Sequence, residues 1–270
     1  MYTNETKKQH YIPQCILKNF GIPGSNQYLV WQHLKNNKID DRQVPINKIC
    51  CNDYLYEYFM DGTVVKDEAI FNKLEKSFML LEGDFSKLFR DKINVSAMLN
   101  EDDILLCYIM IVVQLLRTPK GIKRAEEYFS NIYKDLEKDK LRNTTLFHSF
   151  ITSRKEGSIL YNWLEDLRKY GLSISYSEEE FILSNDNPSH GGKLVDFYDV
   201  GKHDYIFYFP ISNHRCLMLY PVSNKDKIFK DRVCKYNMSR TVTRNINKSI
   251  YHSTETIIYS KHKLDIRRFE

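Results

Sequence analysis

Five polar side chains in this sequence are of types that move protons or bind anions, and each stands where a plain core or loop would not need it. His10 lies in His10-Tyr11-Ile12-Pro13-Gln14, just ahead of an X-Pro step that favours extended backbone. An imidazole there can act as general base, general acid or metal ligand. The plainer alternative is a surface histidine near a chain end. Glu75 falls beside an apolar stripe, between Phe71 and Phe78 or Met79, and Glu82 follows one heptad further along the same face. A carboxylate flanking a core stripe must be paired or functional, because burying it alone is costly. Gln114 and Arg117 stand three apart near the end of the most apolar segment, so they share a helix face. Arg117 either grips an anion, caps carbonyls at the helix end or pairs with Glu75. Asp186, in Ser184-Asn185-Asp186-Asn187-Pro188, is a candidate base or metal ligand at a strand end, or else the carboxylate of an Asx turn.

A histidine, two carboxylates, an amide and an arginine suit acid–base work on a phosphodiester, with Arg117 holding phosphate and Gln114 orienting it. Mg²⁺ or Mn²⁺ would find ligands in His10, Glu75 and Asp186. Asn187 beside Asp186 reads as a substrate contact. Residues 223–270 carry twelve Lys and Arg against five Asp and Glu, a local +7 in a chain whose net charge is +5. Interleaved with Tyr236, Tyr251, Tyr259 and Phe269, that segment could track a phosphate backbone and stack bases, with Arg240, Arg244 and Lys248 as its substrate-binding cations. The other reading is an ordinary solvated helix face. Walker A, the Rossmann glycine fingerprint, HExxH, GxSxG and zinc-knuckle spacings are all missing, and only 10 glycines argue against a glycine-cradled nucleotide.

These pieces together resemble the bacterial domain-of-unknown-function family DUF4238. The resemblance rests on His10-Tyr-Ile-Pro-Gln14 with Leu17-Lys-Asn-Phe20, Leu74-Glu75, Gln114-Leu-Leu-Arg-Thr-Pro119, Ser184-Asn-Asp-Asn-Pro188 and Phe209-Pro-Ile-Ser212, in the family's order over most of the chain. The family's usual form of the fourth motif is Thr-Ser-Asp-Asn-Pro, so Ser184 stands for Thr and Asn185 for Ser, which weakens a serine nucleophile at that place. The resemblance implies that His10, Glu75, Gln114, Arg117 and Asp186 belong to one pattern, and it brings no established activity.

The elements that must position these residues follow from periodicity. Gln27–Trp31 and Tyr54–Phe59 read as strands, so the first sixty residues look like β structure. Phe71, Leu74, Phe78, Leu81, Phe85 and Leu88 recur at helical spacing, predicting a helix from Asp67 to about Lys92. Asn100 is a good N-cap, followed by Glu101, Asp102 and Asp103, and Pro119 predicts an end near Arg117. Nearly continuous apolarity from Ile104 to Leu116 makes this the buried central helix. Amphipathic helices are expected over 121–141 and 157–170. Strands follow at Ser173–Ser184, Tyr205–Ile211 and Cys216–Tyr220, then a helix over Ile228–Ser253 and a last strand at Thr256–Ser260. The expected fold is therefore α+β, a central helical region around a buried helix, with strands from the N-terminal and C-terminal parts. Without internal repeats or low-complexity linkers, residues 1–270 read as one domain.

At 42% hydrophobic and 28% charged the chain can bury a sizeable core, which excludes a disordered class. Six cysteines without a CxxC pair and an N-terminus without an apolar stretch point to a reduced, cytoplasmic protein. The longest apolar run, Ile104–Val113, is too short for a bilayer, so no membrane partner is expected. Among function classes a hydrolase comes first, with a nuclease or phosphodiesterase acting on nucleic acid or nucleotides as its leading case. A defence or toxin setting would suit a chain without housekeeping motifs. The rivals are a non-catalytic nucleotide-binding module and a protein–protein partner whose cluster is only a buried network.

Overall fold

The computed structural model describes residues 6–35, 37–67, 71–138, 140–142, 161, 164–165, 170–188, 190–193, 205–221 and 236–269. Chain order runs β1 (Lys8–His10), α1 (Gln14–Asn19), β2 (Ile22–Pro23), β3 (Tyr28–Leu34), β4 (Asn37–Pro45), β5 (Cys51–Asp53), β6 (Phe59–Met60), β7 (Thr63–Val64), α2 (Lys73–Leu88), α3 (Glu101–Arg117) and α4 (Pro119–Ile132). It continues β8 (Tyr170–Ser177), β9 (Leu183–Ser184), β10 (His190–Lys193), β11 (Tyr205–Pro210), β12 (Arg215–Pro221), β13 (Tyr236–Met238), α5 (Arg240–Ser253) and β14 (Ile257–Ser260). The class is α+β.

Two five-stranded sheets carry most of the β structure. One has the order β10-β11-β12-β8-β13, antiparallel except for the β8–β13 pair. The other joins the two ends of the chain: β14 pairs antiparallel with β3 and β9, while β2 and β4 also pair with β3. A short ladder sets β1 against β5 with His10 opposite Cys51, which brings the first candidate residue next to the helices.

The helical middle obeys its local chemistry. Asn100 and Asp103 form a reciprocal capping box at the start of α3, the side chain of Asn100 accepting from the Asp103 N–H at 2.9 Å. Thr118 ends α3 in extended backbone and at once caps α4, its Oγ1 accepting from the Gly121 N–H at 2.9 Å. Gly121 is required by close approach, since a Cβ there would lie 2.1 Å from the Leu115 carbonyl oxygen. α2 starts at Lys73 rather than Asp67, and its last turn widens into a π turn over Phe89–Ile93. α3 packs into a hydrophobic core that runs from Ile12 to Phe269, and the Tyr108 hydroxyl donates to the Tyr170 carbonyl at 2.7 Å, tying it to β8.

Several expectations are corrected. The Tyr54–Phe59 strand is a turn: Tyr54 adopts φ 53°, Glu57 N–H returns to the Tyr54 carbonyl, and only Phe59–Met60 pairs. The Ser173–Ser184 strand breaks into β8 and β9. The helix over Ile228–Ser253 begins at Arg240, after β13. The 157–170 helix for the most part, and the basic stretch 223–235, lie outside the described residues. Among the described residues no single helix is long and apolar enough to cross a membrane. Leu106 and Ile109 look central in the sequence but are half-buried, whereas Met110, Ile111 and Val112 are fully enclosed. Ile111→Ala should therefore lower the unfolding free energy by about 2–5 kcal/mol. Leu80→Ala, at a position 74% exposed, should stay within about 0.5 kcal/mol of the parent. Urea denaturation of both variants checks this, and equal losses would mean that α3 is not the core helix.

Candidate functional site

Arg117, 1% exposed at the last turn of α3, is the centre of the cluster. Its Nε donates to the Tyr56 hydroxyl at 3.2 Å, its Nη1 to Glu82 at 2.7 Å and its Nη2 to the His10 carbonyl. The guanidinium carbon sits 4.5 Å from the centre of the Phe78 ring, a cation–π arrangement. Burial alone would lower its pKa, but Tyr56 and Glu82 raise it overall, so the charge is permanent. The expected Glu75 ion pair gives way to this geometry. Three of its nitrogens are committed to protein acceptors, and its carboxylate partner is Glu82, one heptad beyond Glu75.

The neighbours follow from the same placement. One turn back on α3, Gln114 Nε2 donates to the Tyr11 carbonyl at 2.7 Å, so Gln114 and Arg117 hold consecutive carbonyls of the chain leaving β1. Tyr56 reaches both the His10 carbonyl, at 3.1 Å, and the Arg117 carbonyl, at 3.3 Å. The turn that carries Tyr56 is held by Gln9, which accepts from the Tyr56 N–H at 2.7 Å and donates to Glu57. Glu57 in turn accepts from the Asn72 N–H at 3.0 Å, just before α2 begins.

His10 is 8% exposed, and burial, with Arg117 nearby, lowers its pKa to about 4, against a smaller opposing effect of a backbone hydrogen bond at Ile46. Glu75, also 8% exposed, has its pKa raised to about 7 by burial, with Arg117 opposing and Glu82 and Glu57 adding. His10 Nε2, Glu75 Oε2 and Gln114 Oε1 are buried and have no hydrogen-bond partner among the described residues. The structure thus brings His10, Glu75, Gln114 and Arg117 together.

Asp186 has a separate set of partners. Its Oδ1 accepts from the Ser184 hydroxyl at 2.9 Å and its Oδ2 from the Glu255 N–H at 3.1 Å, with Lys120 Nζ 3.9 Å away. These partners lie outside the Arg117 cluster, so the expected convergence of Asp186 with His10, Glu75 and Arg117 is not seen in its hydrogen bonds. The Asn187 N–H closes a turn onto the Ser184 hydroxyl at 3.0 Å, so the serine makes the local bond expected of an Asx carboxylate, while Asp186 accepts from the distant Glu255 N–H. Arg240 and Arg244, read as substrate cations, pair instead with Glu178 at 3.7 Å and Glu179 at 3.5 Å, and Lys248 remains exposed. Among the described residues no three His, Cys, Asp or Glu side chains are grouped to hold a metal, so His10, Glu75 and Asp186 do not form one site for it.

Tyr56, Gln9 and Glu57 were missing from the sequence reading, whereas Glu82 was seen one heptad beyond Glu75 but not as the partner of Arg117. A second arrangement was also missed: His33 Nε2 lies 2.8 Å from Ser260 Oγ, and His33 Nδ1 lies 3.1 Å from Asp41 Oδ1. Those are the groups of a serine triad, but Ser260 Oγ donates to the His262 carbonyl at 2.6 Å. With its proton given there, Ser260 accepts from His33, the wrong direction for nucleophile activation. Both residues are fully buried, so the trio stitches β3, β4 and β14 together.

An α+β protein with a buried, arginine-centred polar cluster is thereby defined. The chain belongs to the family described as "Protein of unknown function (DUF4238)", which matches residues 8–263. No curated protein and no solved structure matches it.

The two buried titrating groups push stability in opposite senses. His10 is depressed from 6.5 to about 4, so the unfolded chain holds the extra proton and stability falls as pH drops through that window. Glu75 is raised from 4.5 to about 7, so the folded chain holds the extra proton and stability falls as pH rises through that window. Each shift is worth on the order of 2–3 kcal/mol after some solvent screening. In the parent the two should nearly cancel. Glu75→Gln should show stability rising from pH 4 to 6.5, and His10→Phe should show it falling from pH 4.5 to 7. Urea midpoints across pH 4–8 test this; variants with the parent's profile would contradict it.

Proposed function

We propose that the Arg117 cluster is a hydrolytic acid–base site acting on nucleic acid or nucleotides, with a nuclease or phosphodiesterase as the leading case. The observation that carries this reading is the set of unpartnered buried atoms on His10, Glu75 and Gln114. A purely structural network rarely leaves such groups unmet, because each costs about 1–3 kcal/mol. The two perturbed groups also suit the work. At neutral pH His10 is unprotonated and can accept a proton, while Glu75 titrates near 7 and can supply one. Gln114 would orient the reacting group, and Arg117 acts as a positioning residue through the His10 carbonyl.

The committed donors of Arg117 favour a second reading, a binding module that recognises a nucleotide or a partner protein without turnover. A cytoplasmic setting belongs to the proposal as well, supported by the free cysteines among the described residues, Cys15, Cys50, Cys51, Cys107 and Cys216.

The test is incubation of the purified protein with RNA, single- and double-stranded DNA and nucleotides, with Mg²⁺, with Mn²⁺ and with chelator. His10→Ala and Glu75→Gln should each lower turnover by about 10²-fold or more. The parent's rate should plateau between limbs near pH 4, where His10 gains a proton, and pH 7, where Glu75 loses one. Absence of turnover under every condition removes the hydrolase and leaves the binding module. If α5 carries nucleic acid, changing Arg240, Arg244 and Lys248 to Gln should flatten the salt dependence of binding by about one slope unit per residue. An unchanged slope would assign α5 to ordinary surface.

A further inference from the structure

The chain holds a small cleft that the proposed acid–base site does not use. It measures about 250 Å³ and lies between β5, the 54–57 turn, the first two turns of α4 and Arg142. None of His10, Glu75, Gln114 and Arg117 lines it, although Leu55 and Pro119 on its walls neighbour Tyr56 and Thr118 in the chain. The α4 wall follows from helical spacing, since Pro119, Ile122, Lys123 and Glu126 stand three and four apart and so share one face. Ile122 and Leu55, 4% and 6% exposed, supply an apolar floor. Charges of both signs share the same walls. Arg142 is anchored beside the turn, its Nη2 donating to the Leu55 carbonyl at 2.8 Å and its guanidinium carbon 5.6 Å from the centre of the Phe59 ring. Its Nε is buried without a partner among the described residues, so the guanidinium keeps a donor for a ligand. Asp53 has Lys7 beside it at 3.2 Å, while Lys123 and Glu126 are in no ion pair among the described residues.

We infer that this cleft binds a free α-amino acid with an apolar side chain, its carboxylate on Arg142 and Lys123, its ammonium on Glu126 and its side chain against Leu55, Pro119 and Ile122. No residue of the Arg117 cluster takes part, so this binding is independent of the proposed hydrolysis. Size decides first: drug-sized ligands occupy about 300–1,000 Å³, and a cleft below that range takes a smaller molecule. Charge decides next. Two cations and two carboxylates line the space, so a phosphate would gain Lys123 and Arg142 but face Asp53 and Glu126. A zwitterion meets both signs, and a guanidinium can grip its carboxylate at two points.

Calorimetry on the full chain tests this, with leucine, glycine, N-acetylleucine, leucinamide and inorganic phosphate at millimolar concentration. Leucine should bind. N-acetylleucine lacks the ammonium, leucinamide the carboxylate and glycine the side chain, and each should bind about tenfold more weakly or worse. Arg142→Gln and Glu126→Gln should each weaken leucine about tenfold. Lys123→Gln should weaken it too, and at an exposed position that leaves the Arg142 bond to the Leu55 carbonyl intact it guards against a disturbed turn in Arg142→Gln. Urea midpoints check that each variant folds. Failure of leucine to bind overturns the proposal, as does N-acetylleucine binding as tightly as leucine, which would leave Glu126 without a role. Phosphate binding that disappears in Arg142→Gln would make the cleft an anion site and overturns it as well. A parent active on nucleic acid but blind to leucine sinks only the amino-acid cleft, and an inert parent that binds leucine sinks only the hydrolase.

Discussion

A permanent positive charge buried at the end of the core helix is the constraint on which the rest of this structure depends. Arg117 is 1% exposed, and a guanidinium taken out of water must recover its lost hydration from protein acceptors or the fold does not form. Each acceptor comes from a different part of the chain: a carbonyl at the end of β1, a hydroxyl on the 54–57 turn and a carboxylate on α2. These parts can only be placed together. The side chain therefore works as a keystone, and removing its ion-pair partner would leave a buried charge short by about 3–5 kcal/mol, a large fraction of the stability of a domain.

The same dry environment explains the two titrating neighbours. Burial favours the neutral form of each, so the imidazole of His10 goes down and the carboxyl of Glu75 goes up. Arg117 deepens the first shift and limits the second. A proton that would sit on the histidine in water sits on the carboxylic acid here over much of the range between the two values. Glu82, placed on the guanidinium at 2.7 Å, takes the ion-pairing role and leaves Glu75 free of it.

How much of this could be read in the sequence depends on how local each cause was. The capping box at Asn100, the break at Thr118-Pro119 and the β11–β12 hairpin are set by residues a few positions apart, and their elements appear where the periodicity put them. The turn at Tyr54–Glu57 is set by Gln9, 47 residues away from the Tyr56 N–H that it accepts, so an aromatic run that looks like a strand could not declare itself a turn. The site divides along the same line. His10, Glu75, Gln114 and Arg117 were found by residue type and position, yet the choice of Glu82 over Glu75 as the ion-pair partner was beyond the spacing, because both lie on one face of α2. The ion pairs of Arg240 and Arg244 were not legible because the glutamates that meet them, Glu178 and Glu179, lie more than sixty residues earlier.

The cluster gathers three of the buried polar atoms left unmet among the described residues, His33 Nδ1 being another elsewhere in the fold. Other interior polar side chains close on a partner, as Ser177 does on Thr243 at 2.7 Å and Asn247 on the Glu180 carbonyl at 2.8 Å. Around Arg117 three guanidinium N–H groups and the Gln114 amide tie the elements together, while three side-chain atoms on those same elements are left unmet among the described residues. A sequence selected only for stability would replace Gln114 by a hydrophobe of similar volume, since Met at that place would remove the unmet oxygen and forfeit a single bond to the Tyr11 carbonyl. Folded chains tolerate such conflicts between local stability and global fold where a site demands them. The arginine supplies the rigidity, and the unmet acceptors are the groups that the proposed acid–base site would use.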